Sequence, residues 1–319
     1  MMTFKERIVT LSAKTKIALS ENVLIYLLMT LLLILVLAPR YLNSTPDMDE
    51  IWNYQFARRI LYGQIPFRDF VMLPLPFSAQ LNALFLRIFS DELYVIRWIG
   101  CSIAVINGIT IFGIIRIIGK NNLIALIYTC VFLFPAFLYP HNNYSWLTVL
   151  FLSIALLLEL MNLSKEKGRK TNWEFWIGLS LGFATITKQN IGVIALLASI
   201  IFLVLRITNW NHSDKGTYFP PNAGSNKYLL KSISYKVLGW SCVVGSETLY
   251  LWGHVDIGSI FSDIVVNMVQ FAGHNSMSQG HMLQSDGTAR LILALAVIAY
   301  MLLVFIKSLY GNKNELDKW

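Results

Sequence analysis

Long apolar runs recur along the chain and are separated by shorter polar segments. Such a run predicts a transmembrane helix when it approaches the roughly 20 residues needed to cross a bilayer. The runs cover residues 22–39, 94–118, 123–140, 145–161, 173–188, 191–207, 237–254 and 289–308. The pattern therefore predicts an all-α, polytopic membrane protein with about eight transmembrane helices.

One further run, LPLPFSAQLNALFLRIF at residues 73–89, fits a membrane span less well. It is short, contains two prolines near its start, and carries Gln80, Asn82 and Arg87. Counting it as a span would move the basic segment SKEKGRK, residues 164–170, to the other side of the membrane. We interpret this run as an amphipathic helix that lies on the outer membrane surface.

A second surface helix is predicted in STPDMDEIWNYQFARRILYGQIPFRDF, residues 44–70. Pro46 precedes its start and Gly63 ends it. Its apolar face is formed by Trp52, Phe56 and Ile60, and another face by Asp49 and Asn53. At the centre of a membrane helix each charged residue would cost about 2.5–3.5 kcal/mol, so this charged segment lies outside the hydrocarbon.

The distribution of lysine and arginine orients the chain. With the N-terminus in the cytoplasm, 18 of the 26 basic residues fall in predicted cytoplasmic segments. Because basic residues are enriched on the cytoplasmic side, we predict that both termini are cytoplasmic. The net charge of +8 is then a sign of topology and does not indicate nucleic-acid binding.

This topology divides the chain into four segments. They are a cytoplasmic N-terminal segment (1–21), a transmembrane module (22–254) with its first external loop at 40–93, an external loop (255–288), and a last transmembrane helix with a cytoplasmic tail (289–319). The first run could also be a cleaved signal peptide. A polar lead of about 21 residues and the absence of an A-x-A site in LVLAPRYLNS favour an uncleaved anchor.

Composition supports a membrane protein, since the mean hydropathy is +0.56 and only 14% of residues are charged. The three cysteines lie inside apolar runs, which suits neither a disulfide framework nor a zinc site. A chain rich in lysine and isoleucine without disulfides favours a bacterial plasma membrane.

The first external loop gathers the chemically useful side chains. Its acids follow the first span closely, and Arg58, Arg59 and Arg68 come soon after. Beside a membrane, a carboxylate can take a proton from an acceptor hydroxyl while arginines hold a phosphate leaving group. This combination suits a reaction on a lipid-linked phosphate. The alternative is that the acids only complement the dipole at a helix N-terminus.

The loop resembles the first outer loop of polyprenyl-phosphate-sugar-dependent glycosyltransferases of the GT-C superfold, in the branch of protein O-mannosyltransferases and lipid A aminoarabinose transferases. The resemblance rests on the Asp-Glu pair, on YQFARRILYGQIPFRDF, and on LPLPFSAQLNALFLRIFSDELYVIRWIG with its arginine at the second span. GLSLGFATITKQNIGVIAL, residues 178–196, is similar to the family's glycine-rich span that ends in Thr-Lys-Gln. The likeness covers roughly residues 20–210.

The resemblance implies that Asp49 is the catalytic base and that Glu50 lies beside it. Candidate substrate-binding residues are Arg58, Arg59, Arg68, Asp69, Asn143, Lys188 and Gln189. Each has a simpler alternative: Glu50 could cap the helix, Lys188 could reach the membrane interface without a function, and Asp69 could pair with Arg68.

The chain also departs from the family. Asn142 and Asn143 stand where the aminoarabinose branch has a second acid, which puts metal binding at this turn in doubt. A divalent metal cofactor is possible, although no motif indicates one. His274 and His281 are interpreted as solvated side chains. Family members usually carry more spans, so a truncated, non-catalytic homologue is one alternative.

The resemblance predicts an inverting membrane glycosyltransferase on the external face. Its donor would be a sugar on polyprenyl phosphate, and its acceptor a lipid, glycan or protein of the cell envelope. A transporter or flippase for a lipid-linked saccharide is the other alternative. That function would require ionisable residues near the bilayer midplane, where the later spans offer chiefly Glu247, with Glu159 near a cytoplasmic end.

Overall fold

The computed structural model describes residues 4–260, except for 73, 120, 164–171, 211–225, 257 and 259. Side-chain contacts are described from Val23 onward. The predicted last span at 289–308 and both His274 and His281 lie outside the described residues.

The described part of the chain is all-helical, as predicted. Its helices are α1 (Phe4–Asn43), α2 (Met48–Leu61), α3 (Phe77–Ile88), α4 (Leu93–Gly119), α5 (Asn122–Leu138), α6 (Tyr144–Leu163), α7 (Asn172–Thr187), α8 (Gln189–Trp210) and α9 (Asn226–Trp252). Each of the first seven predicted runs overlaps one of these helices, because a continuous apolar run has to satisfy its backbone hydrogen bonds within itself. The bounds differ most for α1 and α9, which begin well before their runs.

Three of these helices contain a stretch that is long and apolar enough to cross a membrane: Val23–Asn43, Leu93–Gly119 and Tyr144–Asn162. Two shorter apolar helices cover Asn122–Leu138 and Gln189–Leu205. These stretches support a membrane protein. The number of eight spans stays a prediction.

The two predicted surface segments both form helices. Asp47 is the N-cap of α2, and Gly63 follows the helix with a φ of 84°, a left-handed conformation that glycine adopts without steric cost. The buried face of α2 consists of Glu50, Asn53 and Ala57. This face packs against α3 and α4, so the two surface helices are fixed to the rest of the protein.

Helix directions follow from the contacts between neighbours. On α4, Gly100 lies beside Tyr41 and Gly108 beside Leu33, so α1 and α4 are antiparallel. Ser180 on α7 donates a hydrogen bond to the Phe151 carbonyl on α6, and Asn162 near the end of α6 donates to Glu174 near the start of α7, so these two helices are antiparallel as well. The helices α2 and α3 therefore contact the end of α1 and the beginnings of α4 and α6. We call this end of the structure the α2–α3 end.

Two glycines bring α7 and α9 into close contact. A Cβ on Gly178 would lie 1.9 Å from the Lys236 carbonyl oxygen, and one on Gly239 would lie 2.1 Å from the Phe175 carbonyl oxygen. Neither distance can accommodate a side chain. The two helices run in the same direction, since Gly178 faces Lys236 and Gly182 faces Val243.

A buried ionic cluster joins four helices away from the α2–α3 end. Lys236 on α9 is fully buried, and its Nζ lies 3.1 Å from Glu174 Oε2 on α7 and 3.6 Å from Glu159 Oε2 on α6. The same ammonium donates a 2.7 Å hydrogen bond to Ser199 Oγ on α8. Because a buried charge is costly without a partner, this cluster fixes the relative positions of the four helices.

The predicted orientation can be tested by cysteine labelling in intact cells. In a variant without native cysteines, we expect Thr45→Cys to react with a membrane-impermeant thiol reagent, because Thr45 is exposed and predicted to be external. Gly168→Cys and Lys215→Cys should be protected until the membrane is permeabilised. Labelling of residue 168 combined with protection of residue 45 would reverse the orientation and remove Asp49 from the external face.

Candidate active site

The first turn of α2 places its two acids in different surroundings. Asp49 is half-buried, and its carboxylate is close enough to Tyr144 at the start of α6 for the two groups to interact electrostatically. Glu50 is fully buried and forms an ion pair with Arg97, whose Nη2 lies 3.3 Å from Glu50 Oε2. Successive helical residues point about 100° apart, which explains why adjacent acids meet different neighbours.

The pair between Glu50 and Arg97 connects three helices. Arg97 lies on α4, and its Nη1 also donates to the carbonyl of Leu42 at the end of α1. Burial raises the pKa of Glu50, and the positive charge of Arg97 partly opposes this rise. Sequence reasoning noted the arginine that opens the second span but did not predict its partner, because the two residues are far apart in the chain.

Buried amides hold the same region together. Asn53 Nδ2 donates to the Asn142 carbonyl at 3.1 Å. Asn142 Nδ2 donates to Asn82 Oδ1 at 3.2 Å and to the Ile96 carbonyl at 3.1 Å. These bonds link α2, α3 and α4 to the turn that precedes α6. Asn142 is therefore a structural residue in this chain.

Asn143, a predicted substrate-binding residue, is occupied by local contacts. Its Oδ1 accepts a 3.0 Å hydrogen bond from the Trp146 backbone N–H, as the capping residue of a helix does. Its Nδ2 lies 3.2 Å from His141 Nε2. A role in substrate binding stays a prediction for Asn143.

Lys188 lies directly after α7 and reaches the start of α6. Its Nζ is 3.3 Å from Ser145 Oγ and 5.3 Å from the centre of the Tyr144 ring. Tyr144 is thus a neighbour of both Asp49 and Lys188, two residues that the sequence singled out separately. Gln189, also a predicted contact, is half-buried at the first position of α8.

The predicted arginines take other partners. Arg58 Nε lies 3.0 Å from both oxygens of Asp91, and its guanidinium lies over the rings of Tyr54 and Tyr62. Arg59 is exposed, and its guanidinium is 5.3 Å from the centre of the Phe70 ring. Within the described ranges, no contact connects either arginine to Lys188.

Arg68 and Asp69 form the local pair that was the simpler alternative. Arg68 Nε lies 3.0 Å from Asp69 Oδ1, and Arg68 Nη2 lies 2.9 Å from Oδ2. The hydrogen bonds from Arg68 and from the Ile65 backbone N–H lower the pKa of Asp69. The Arg68 side chain is 50% exposed and the Asp69 side chain 30% exposed. A role for either in substrate binding stays a prediction.

Glu247, the acid that the transporter alternative depended on, contacts the α2–α3 end of the structure. Its Oε1 accepts a 3.1 Å hydrogen bond from Gln80 Nε2, which brings α9 against the surface helix α3. Arg68 interacts electrostatically with Tyr250, one turn further along α9. The sequence shows Glu247 only as an isolated acid in an apolar run. Its partner Gln80 on α3 depends on the tertiary fold and could not be predicted.

The described residues do not form a cluster of three or more His, Cys, Asp or Glu side chains that could hold a metal ion. Asp47 and His141 lie near each other at this end of the structure, with Asp47 Oδ2 3.7 Å from His141 Nε2.

Comparison with known proteins agrees with part of the sequence prediction. No curated protein and no solved structure matches the chain. Residues 74–218, somewhat less than half of the chain, match the dolichyl-phosphate-mannose-protein mannosyltransferase family. The matching segment contains α3 to α8 and includes Lys188, while Asp49 precedes it. The similarity indicates a membrane glycosyltransferase of the kind that uses a polyprenyl-phosphate sugar donor.

Proposed function

We propose that the protein is an inverting membrane glycosyltransferase that moves a sugar from polyprenyl phosphate to a hydroxyl of a cell-envelope acceptor. The main supporting observation is that Asp49 and Lys188 both interact with Tyr144: Asp49 electrostatically, and Lys188 through its ammonium, which lies 5.3 Å from the centre of the ring. A carboxylate and an ammonium that interact with the same side chain are the two groups that this reaction needs most. The family match over residues 74–218 supports the same class of reaction.

The reaction assigns a separate task to each charged group. The Asp49 carboxylate accepts the proton of the acceptor hydroxyl as that oxygen forms a bond to the anomeric carbon. The bond between the anomeric carbon and the phosphate oxygen breaks, and its electron pair leaves with polyprenyl phosphate. The Lys188 ammonium stabilises the negative charge on this leaving phosphate. Attack from the face opposite the leaving group inverts the anomeric configuration.

The buried contacts of α2 give this site a rigid support. Catalytic groups have to be held within a fraction of an ångström by neighbours that are themselves fixed. Glu50 with Arg97, and Asn53 with Asn142, attach the helix that carries Asp49 to α4 and to the turn before α6. In this proposal Glu50 is a positioning residue and Asp49 is the base.

The proposed setting is the external face of a plasma membrane, in a bacterium. Arg58, Arg59, Arg68 and Asp69 lie on the part of α2 and its following loop that is more distant in sequence from Asp49. Arg59, Arg68 and Asp69 are exposed and Arg58 is half-buried, and we assign all four to contacts with the donor or with membrane lipids.

Lys188→Ala is expected to raise the donor concentration needed for half-maximal transfer by about ten- to a hundredfold, because a charged hydrogen bond to phosphate contributes about 1.5–3 kcal/mol. The measurement is transfer by purified protein in liposomes, with polyprenyl-phosphate mannose as the probe. Lys231→Ala is the matched control, since Lys231 is exposed on α9. An unchanged donor requirement would mean that Lys188 only reaches toward the membrane interface.

The ionic cluster around Lys236 is the observation that favours a transporter as the second candidate. Ionisable residues buried in a membrane domain often mark a transport path. Here they contact one another across α6, α7 and α9. A flipping assay with a fluorescent lipid-linked saccharide separates the two functions: movement across the bilayer without glycosyl transfer would support the transporter.

A further inference from the structure

A cavity of about 460 Å³ lies at the α2–α3 end, beside the segment that leads into α2. Its walls are the end of α1, residues 44–47, and the turn at 138–141 before α6. Ser44 Oγ donates to the Pro140 carbonyl at 3.1 Å, which fixes two of these walls to each other. The volume is within the range of about 300–1,000 Å³ that is common for small-ligand sites.

Groups of opposite charge line the cavity. Arg40 donates from Nε to the Phe137 carbonyl, and its guanidinium lies 4.9 Å from the centre of the Phe137 ring. In the part of the chain that is described, its two terminal nitrogens make no hydrogen bond. Asp47 supplies the negative charge. Its side chain is about half exposed, and its Oδ2 lies 3.7 Å from His141 Nε2.

This combination favours a neutral, hydroxyl-rich ligand. A simple anion would be repelled by Asp47, and a simple cation by Arg40. Vicinal hydroxyls both donate and accept, so they can bond to a carboxylate, an imidazole and a guanidinium at the same time. Tyr139, whose side chain is 67% exposed, adds an apolar face against which the C–H face of a sugar ring can pack.

The cavity and Lys188 have different neighbours at the start of α2. Asp47 lines the cavity and lies near His141, whereas Asp49, two residues later, interacts electrostatically with Tyr144, the residue whose ring Lys188 faces. None of Asp49, Tyr144 and Lys188 is among the lining residues. An inverting displacement needs the attacking hydroxyl and the leaving phosphate on opposite faces of the anomeric carbon, so the acceptor site has to be separate from Lys188, and Lys188 does not line this cavity.

We propose that this cavity binds the hydroxyl-rich head group of the acceptor, either a saccharide or the polyol of a phospholipid. The inference rests on the proposed glycosyltransferase function, which it extends by naming the acceptor class and its site. Asp47 and Tyr139 are then binding residues for the acceptor. Asp49 remains the base that activates the acceptor hydroxyl.

Photocrosslinking tests the site without requiring turnover. The full-length protein in lipid nanodiscs is exposed in separate arms to an alkyl glucoside, to phosphatidylglycerol and to phosphatidylcholine, each carrying a diazirine. Mass spectrometry then locates the labelled peptides. We expect the glucoside to label residues 39–47 and 138–141, and an excess of unlabelled alkyl glucoside to compete. Equal labelling by phosphatidylglycerol would assign the polyol to a phospholipid.

The double variant Asp47→Asn with Tyr139→Ala should lose at least about fivefold of this competable labelling, because it removes a hydrogen-bonding charge and the stacking ring. Both side chains are exposed, so the fold is expected to stay intact. Glu92→Gln is the control for the loss of one external acid. Equal labelling by phosphatidylcholine, or unchanged labelling of the double variant, would overturn the proposal. If the glucoside labels the cavity of the wild-type protein but the protein transfers no sugar, the proposed glycosyltransferase function is wrong, and the cavity remains a site for a hydroxyl-rich ligand.

Discussion

Asp49→Asn is expected to lower the rate of sugar transfer by about 10²–10⁴-fold, the usual contribution of a general base. The factor corresponds to about 3–5 kcal/mol of transition-state stabilisation. Asparagine keeps the shape of the side chain but cannot accept the proton of the acceptor hydroxyl. Donor binding should survive, because Lys188 is unchanged. The measurement is single-turnover transfer from polyprenyl-phosphate mannose by purified protein in liposomes.

The control has to remove one external acid without affecting either proposed binding region. Glu92→Gln meets this condition, since Glu92 is exposed in the segment before α4. Asp47 is unsuitable as a control because it lines the cavity and lies near His141. Transfer at the wild-type rate by Asp49→Asn would leave Asp49 with the role of an acid at a helix N-terminus.

Lys236→Met is expected to lower the free energy of unfolding by about 3–5 kcal/mol, because it removes one member of a buried ionic cluster. The ammonium of Lys236 lies within 4 Å of both Glu159 and Glu174, which would otherwise keep their charges in a buried site. Unfolding of the purified protein in detergent micelles, followed by circular dichroism, measures the effect. The donor concentration for half-maximal transfer should not change in the fraction that remains folded.

A compensated variant tests the reason for this loss. Replacing Lys236 by methionine together with Glu159→Gln and Glu174→Gln removes all three charges, and we expect it to recover part of the lost stability. If the wild-type protein and Lys236→Met have the same free energy of unfolding, the cluster contributes little to stability.

The positions of the helices were accessible from sequence because the responsible signals are local. An apolar run identifies its own helix, and proline and glycine mark the limits of α2 without any knowledge of its neighbours. The end of α1 could not be predicted in the same way, because the helix continues past Pro39 to Asn43. The four residues that precede Pro39 lie in the same apolar run, so the helix is already formed where the proline enters.

The partners of the charged residues depend on tertiary contacts. Asp49 and Glu50 are adjacent and chemically similar, and only the packing of α2 on α4 makes Glu50 the buried one. Arg58 was expected near phosphate, but its partner Asp91 lies beyond α3 in the chain. Lys236 was counted as a cytoplasmic loop residue, yet it is buried between helices, so it contributes less to the orientation argument than an exposed lysine does.

The close contact between α7 and α9 restricts where a lipid substrate can lie. At Gly178 and Gly239 the two backbones approach so closely that even a methyl group has no room between them. A hydrocarbon tail therefore cannot pass through this seam. A long-chain donor whose phosphate reaches Lys188 must extend its isoprenoid tail along another side of α7, and bulky lipid analogues bound there should leave the spacing of these two helices unchanged.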